Sequence, residues 1–218
     1  MKKLWNILGV ICYPLLYLGI QLVVTSVAMI PLVVKITVDA LQSGTNPDTA
    51  GLTSAILKST DFNLITGICA LLTLVIIWLI LRGKGSIREV YSLNKISAAT
   101  LCLAVVFGAA FNVFLSLVMG VTHIADYFPE YMELMSQIVG KNNVFIEIIS
   151  VAILAPLAEE VIFRGIVLKR LTKMVPVPVA VIISSALFGL IHGNILQGSY
   201  AFVLAVLIGT VFVWTRSL

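Results

Sequence analysis

Charged residues are scarce in this chain: they make up 11% of its 218 residues, against the roughly 25% of an ordinary soluble domain. With 60% hydrophobic residues and a mean hydropathy of +1.11, that scarcity excludes a soluble globular domain and indicates an integral membrane protein. Regular alternation of apolar and polar residues is missing as well. The apolar stretches are continuous and exceed the roughly 18 residues of a spanning helix, which argues for a helical bundle over a barrel. Cysteine is limited to Cys12, Cys69 and Cys102, without CxxC spacing and each inside an apolar run, so the three read as small apolar residues. No small-residue cleavage site follows the first apolar run, Trp5 to Val34, which is therefore a retained helix and not a signal peptide. No internal repeat is present. No basic stripe is interleaved with aromatics, so the net charge of +4 points to anionic lipid headgroups rather than nucleic acid.

What remains is an all-α, polytopic transmembrane bundle. Apolar runs bounded by charge, Gly or Pro predict about six spans, at 5–34, 62–81, 97–120, 143–172, 176–194 and 200–215. The first is too long for one perpendicular helix, so tilt, a kink at Pro14 or an emerged end near Pro31 is expected. An N-terminus inside puts Lys2, Lys3, Arg82, Lys84, Arg88, Lys95, Arg164, Lys169, Arg170, Lys173 and Arg216 on or toward the cytoplasm. Only Lys35, Lys58 and Lys141 fall outside, which is the asymmetry the positive-inside rule predicts, in a bacterial plasma membrane by the short lysine-led start. In the first outer loop, Asn46-Pro47-Asp48 predicts helix, turn and a short second helix. In the second, Pro129 opens a helix whose Tyr131, Leu134, Met135 and Ile138 form one apolar face, either packed on the surface or acting as a flap. His123 reads as a solvated loop residue.

The chemistry lies in "ILAPLAEEVIFRGIVLK", residues 153–169, where two carboxylates and an arginine interrupt an apolar run. A charge at the bilayer centre costs roughly 2.5–3.5 kcal/mol, so three within two turns must face protein or water. Glu160 and Arg164 have the favourable i,i+4 order for an ion pair. Glu159 points about 100° away from Glu160, outside that pairing, and is the candidate to act on water. Pro156 should bend the helix by clashing with the carbonyl of Ala152, next to the acids. In "SSALFGLIHGN", Val181, Ser185, Phe188 and His192 fall on one helical face. A chain reversal near Met174 to Pro176 would put Glu159 and His192 both about 22–26 Å from the hairpin, hence at one depth. There Glu159 can take a proton from water, while His192 orients that water or protonates the leaving amine. Zinc held by Glu159, Glu160 and His192 is the alternative, but catalytic zinc normally has three protein ligands and the site offers one histidine. Either feature alone reads equally as structure, the ion pair locking helices and His192 satisfied in a core. Matched depth favours a site.

These residues resemble the CAAX-protease and bacteriocin-processing family of intramembrane proteases, to which the type II CAAX prenyl endopeptidases belong: "EEVIFR" fits EExxxR and "FGLIH" fits FxxxH. The resemblance covers roughly residues 145–215. It implies a core of about eight helices around a cavity, with peptide hydrolysis inside the membrane. It also implies that Glu159 activates water with His192, that Glu160 and Arg164 support the site, and that Phe188 holds the second motif. The family pattern continues into a helix with a histidine and, four residues on, an asparagine, whereas this chain reaches "WTRSL" first and Asn194 has a different context. The expectation is a truncated product or a member lacking part of the site. Residues 1–142 are then N-terminal transmembrane helices with outer loops, and 143–218 a protease-like core. The expected partners are membrane lipid and a peptide or membrane-protein substrate. The competing readings are a non-catalytic membrane protein, such as a bacteriocin self-immunity factor or helix-binding scaffold, and a transporter fragment, for which paired half-helices are missing.

Overall fold

The computed structural model describes residues 2–44, 56, 60–84, 97–138 and 143–215. The turn at Asn46-Pro47-Asp48 and the basic residues Lys58, Arg88, Lys95, Lys141 and Arg216 lie outside them. Among the described residues 90% are helical and there is no strand. The helices are α1 (Lys2–Gln42), α2 (Phe62–Leu81), α3 (Ala98–Thr122), α4 (Pro129–Ile138), α5 (residues 144–171), α6 (Val177–Leu190) and α7 (Ile195–Thr215). Leu4–Gln42, Phe62–Leu81, Ala98–Thr122 and Ile195–Thr215 are each long and apolar enough to cross a membrane. Helix α6 is apolar but shorter. The chain is thus an integral membrane helical bundle.

Helix α1 is continuous from Lys2 to Gln42, through Pro14 and Pro31, and its 41 residues amount to about 60 Å of helix, more than a perpendicular crossing of a roughly 30 Å hydrocarbon core needs. Pro156 does not break α5. Instead α5 alternates between α-helix at Val144–Glu147, Ala155–Glu160 and Lys169–Leu171 and wider π turns at Ile148–Leu154 and Val161–Leu168. The N–H of Ala155 reaches back five residues to the carbonyl of Ser150. A widened turn absorbs the missing proline donor without exposing a row of polar groups to lipid.

Contacts group the chain into two units. One comprises Met1–Pro14, Ile77–Glu133 and Glu159–Leu218, the other Leu15–Ile76 and Leu134–Ala158. In the second, Gly67 of α2 gives Ser150 of α5 its room, since a Cβ there would collide with the serine hydroxyl. Asn63, one turn earlier on α2, is 3% exposed, and its amide nitrogen has no hydrogen-bond partner among the described residues. The side chain of Asp61 caps α2 through the N–H of Leu64 at 2.9 Å.

In the first unit, Arg170 at the end of α5 is seated on α1. Its Nη1 donates to the carbonyl of Trp5 at 2.8 Å, and its guanidinium lies over the Tyr13 ring at 5.6 Å. Between these residues a Cβ at Gly9 would run into the guanidinium. Helix α4 is tied to α7 by the hydroxyls of Tyr131 and Tyr200, 3.3 Å apart. His123 ends α3 in the left-handed region, with φ 50°, and forms a solvent-exposed pair with Asp126 at 3.6 Å.

Helices α6 and α7 make an antiparallel hairpin that crosses at two glycines. A Cβ on Gly189 would lie 2.7 Å from the Gly198 carbonyl oxygen, and one on Gly198 would lie 2.7 Å from that of Gly189. Because each obstruction is backbone, Gly189→Ala or Gly198→Ala should force the helices apart. The expected cost is about 1–3 kcal/mol, measured as a lower unfolding midpoint of the purified protein in detergent. Gly19→Ala, where a Cβ meets nothing within 4 Å, is the neutral comparison.

Candidate active site

Both sequence motifs fall in the first unit, on α5 and on the α6–α7 hairpin. Glu159 and Glu160 end an α-helical stretch, and Arg164 follows in a π turn that is buried throughout. The Glu160–Arg164 ion pair forms as its spacing predicts, with Nη1 3.0 Å from Oε1. The guanidinium is 2% exposed and the carboxylate 24%. Nη1 is not aligned for a hydrogen bond, so the attraction there is electrostatic. Arg164 reaches two further helices: Nη2 donates to the carbonyl of Ala205 on α7 at 3.4 Å, and the guanidinium carbon lies 4.8 Å from the centre of the Phe188 ring on α6. One cation therefore holds three helices. Glu159 is half-buried beside the pair and also acts electrostatically on Arg164, so the two acids are less separate than their angular offset predicts.

His192 lies just past the end of α6, in a turn, rather than on the helix itself. Gly193, at φ +65°, closes the helix with the left-handed residue that glycine adopts without strain. Asn194 then caps α7, its Oδ1 accepting from the N–H groups of Leu196 at 2.9 Å and Gln197 at 3.2 Å. His192 is thus fixed between a helix stop and a helix start. Its Nδ1 is 2.8 Å from the Phe188 carbonyl oxygen, and its ring meets the Phe188 ring edge-on at 4.9 Å. A carbonyl can only accept, so Nδ1 carries the hydrogen and Nε2 of the neutral ring is left as an acceptor.

Phe163 is a residue that the sequence did not single out. Its ring meets Phe188 edge-on at 5.1 Å, and its carbonyl accepts from the Ser184 hydroxyl at 3.0 Å. Phe163 against Phe188 sets the register of the antiparallel helices. Extended about one turn in opposite directions, that register leads to Glu159 and to His192. Contacts run without a gap from Glu160 through Arg164 and Phe188 to His192. Ser185 is buried but belongs to no such contact, and the hydroxyl that links the helices is Ser184, one residue earlier.

An apolar groove of about 760 Å³ opens beside His192, between α6 and α7, lined among others by Leu190, Gly193, Asn194, Gly198 and Phe202. Among the described residues, no three His, Cys, Asp or Glu side chains are grouped so as to hold a metal ion. The donors present do not fit the three-ligand set of catalytic zinc. Cys12 and Cys102 are exposed, Cys69 is buried, and all three are free.

The family model for type II CAAX prenyl endopeptidase Rce1-like proteins matches residues 141–218, the segment that holds both motifs and every contact of this site. Comparison with the curated proteins and with the solved structures matches nothing. Over residues 141–218 the chain is thus similar to the Rce1-like type II CAAX prenyl endopeptidases.

Proposed function

We propose that the chain is an endopeptidase that hydrolyses a peptide bond of a membrane-associated protein or peptide, with Glu159 as the base and His192 as its partner. The observation that carries this reading is the linked set Glu160, Arg164, Phe188 and His192 beside Glu159, inside a segment that matches an endopeptidase family. In the proposed reaction the Glu159 carboxylate takes a proton from water as the water oxygen bonds to the scissile carbonyl carbon. The tetrahedral intermediate then collapses, the C–N bond breaks, and the proton passes from Glu159 to the leaving nitrogen. Nε2 of His192 accepts a hydrogen bond from the same water and orients it, because Nδ1 is engaged by the Phe188 carbonyl. The Arg164 cation lies within electrostatic reach of both acids and offsets their charge. The groove between α6 and α7 suits hydrophobic substrate residues next to the scissile bond. By its distribution of basic residues the N-terminus is cytoplasmic, and the short lysine-led start suits a bacterial plasma membrane.

The test uses quenched fluorescent peptides, some farnesylated and some carrying an unmodified apolar anchor, mixed into liposomes that hold the protein. Glu159→Ala and His192→Ala are each expected to remove cleavage seen with the wild-type chain, and undiminished cleavage by both overturns the mechanism. Saturable binding of the same peptides by the wild-type chain, with no cleavage at all, would move the protein to the non-catalytic class. Cleavage is expected to survive strong chelation, because the donor set does not fit zinc. A rate lost on chelation and restored by added zinc would reverse that expectation.

A further inference from the structure

Ser184, Phe188 and His192 stand four residues apart in a single row along α6 and its final turn. The Ser184 side chain is 4% exposed and its hydroxyl donates to the Phe163 carbonyl at 3.0 Å. Phe163 lies inside the π turn Val161–Leu168, next to Arg164 and one turn from both acids. Widened turns of this kind are rare inside α-helices and frequent at functional sites. The row on α6 grips Phe163 twice, at its backbone through Ser184 and at its ring through Phe188. The same row continues to His192 through the Phe188 carbonyl.

We propose that Ser184 is a positioning residue for peptide hydrolysis: its hydrogen bond to the Phe163 carbonyl sets the place of Glu159, Glu160 and Arg164 relative to His192. The inference rests on the proposed endopeptidase reading and adds to it. Ser184 touches no reacting atom and acts through Phe163. Removing its hydroxyl lets α5 slide or rotate by a fraction of an ångström against α6, enough to separate base and histidine without emptying the substrate groove. The effect should therefore fall on kcat and spare KM.

The experiment measures kcat and KM on a peptide that the wild-type chain cleaves, for Ser184→Ala, Ser184→Thr and Ser184→Val. Threonine and valine have the same shape, so any strain from the added methyl cancels and their difference reads the hydroxyl alone. Ser184→Thr is expected to exceed Ser184→Val in kcat about tenfold or more, with KM alike within about twofold, as a small misplacement of reacting groups predicts. Ser184→Ala should resemble Ser184→Val. Thr73→Val is the control: it removes a buried hydroxyl bonded within its own helix, to the Cys69 carbonyl at 2.7 Å, and is expected to leave kcat unchanged. Equal kcat in the threonine and valine variants overturns the inference, as does an equal fall in Thr73→Val. If Glu159→Ala still cleaves, the endopeptidase mechanism fails instead. Inactive Glu159→Ala beside equal threonine and valine variants means that only the role of Ser184 is wrong.

Discussion

Glu159→Gln should lower kcat for peptide cleavage about a thousandfold, in the middle of the range for loss of a general base. Glutamine matches glutamate in size and hydrogen-bonding reach but cannot take a proton, so the variant isolates proton transfer from shape. The comparison that gives this number meaning is Glu160→Gln. Its carbonyl oxygen can still face the guanidinium that Glu160 approaches to 3.0 Å, and its expected loss is about tenfold, from weaker positioning alone. Steady-state kinetics on one peptide, with unfolding midpoints measured in parallel, separate the two variants. A Glu160→Gln defect as deep as that of Glu159→Gln would exchange or merge the proposed roles.

The largest loss of stability is expected from Glu160→Leu. It leaves the Arg164 guanidinium, 2% exposed, inside the bundle with one long hydrogen bond to Ala205 and the face of Phe188. Stranding one member of a buried ion pair costs about 3–5 kcal/mol, and the lower end is expected here, because Glu159 still acts on the Arg164 charge after its nearest counter-charge is lost. Adding Arg164→Met to Glu160→Leu should recover most of that, since two apolar side chains of similar volume avoid the desolvation cost altogether. Denaturant titration of the purified protein, followed by helicity, measures both. The double variant is expected to be folded and inactive, which would assign the pair to the site rather than to the stability of the bundle. A double variant as unstable as Glu160→Leu alone would show instead that Arg164 is needed mainly to join its three helices.

The parts of this architecture that follow from local chemistry were legible in the sequence. Four of the six predicted spans, those of α1, α2, α3 and α7, follow from apolar runs, because a spanning helix must satisfy its own backbone and is marked by length and hydropathy. The Glu160–Arg164 pair came from i,i+4 spacing, and the reversal before α6 from Pro176. Parts that depend on a partner helix were not. Phe163 carries no local sign of its role, since an aromatic in an apolar run looks like any lipid-facing residue until Phe188 is opposite it. Ser185 shares the predicted face with Phe188 and His192, but the hydroxyl that bonds α5 is that of Ser184, and only the partner helix distinguishes the two buried serines. Pro156 signalled a disturbance but not its form, because a kink and a widened turn relieve the same clash and neighbouring helices decide between them.

Arg170 and Trp5, joined by a 2.8 Å hydrogen bond, are 165 residues apart in the chain. At roughly 5–20 residues per second of synthesis, about ten to thirty seconds separate their entry into the membrane. Throughout that interval Gly9 presents an open notch on α1 and the Tyr13 ring has no guanidinium over it. Helix α1 is thus made long before it is locked, and any apolar helix that reaches this notch early competes for the seat that Arg170 eventually takes.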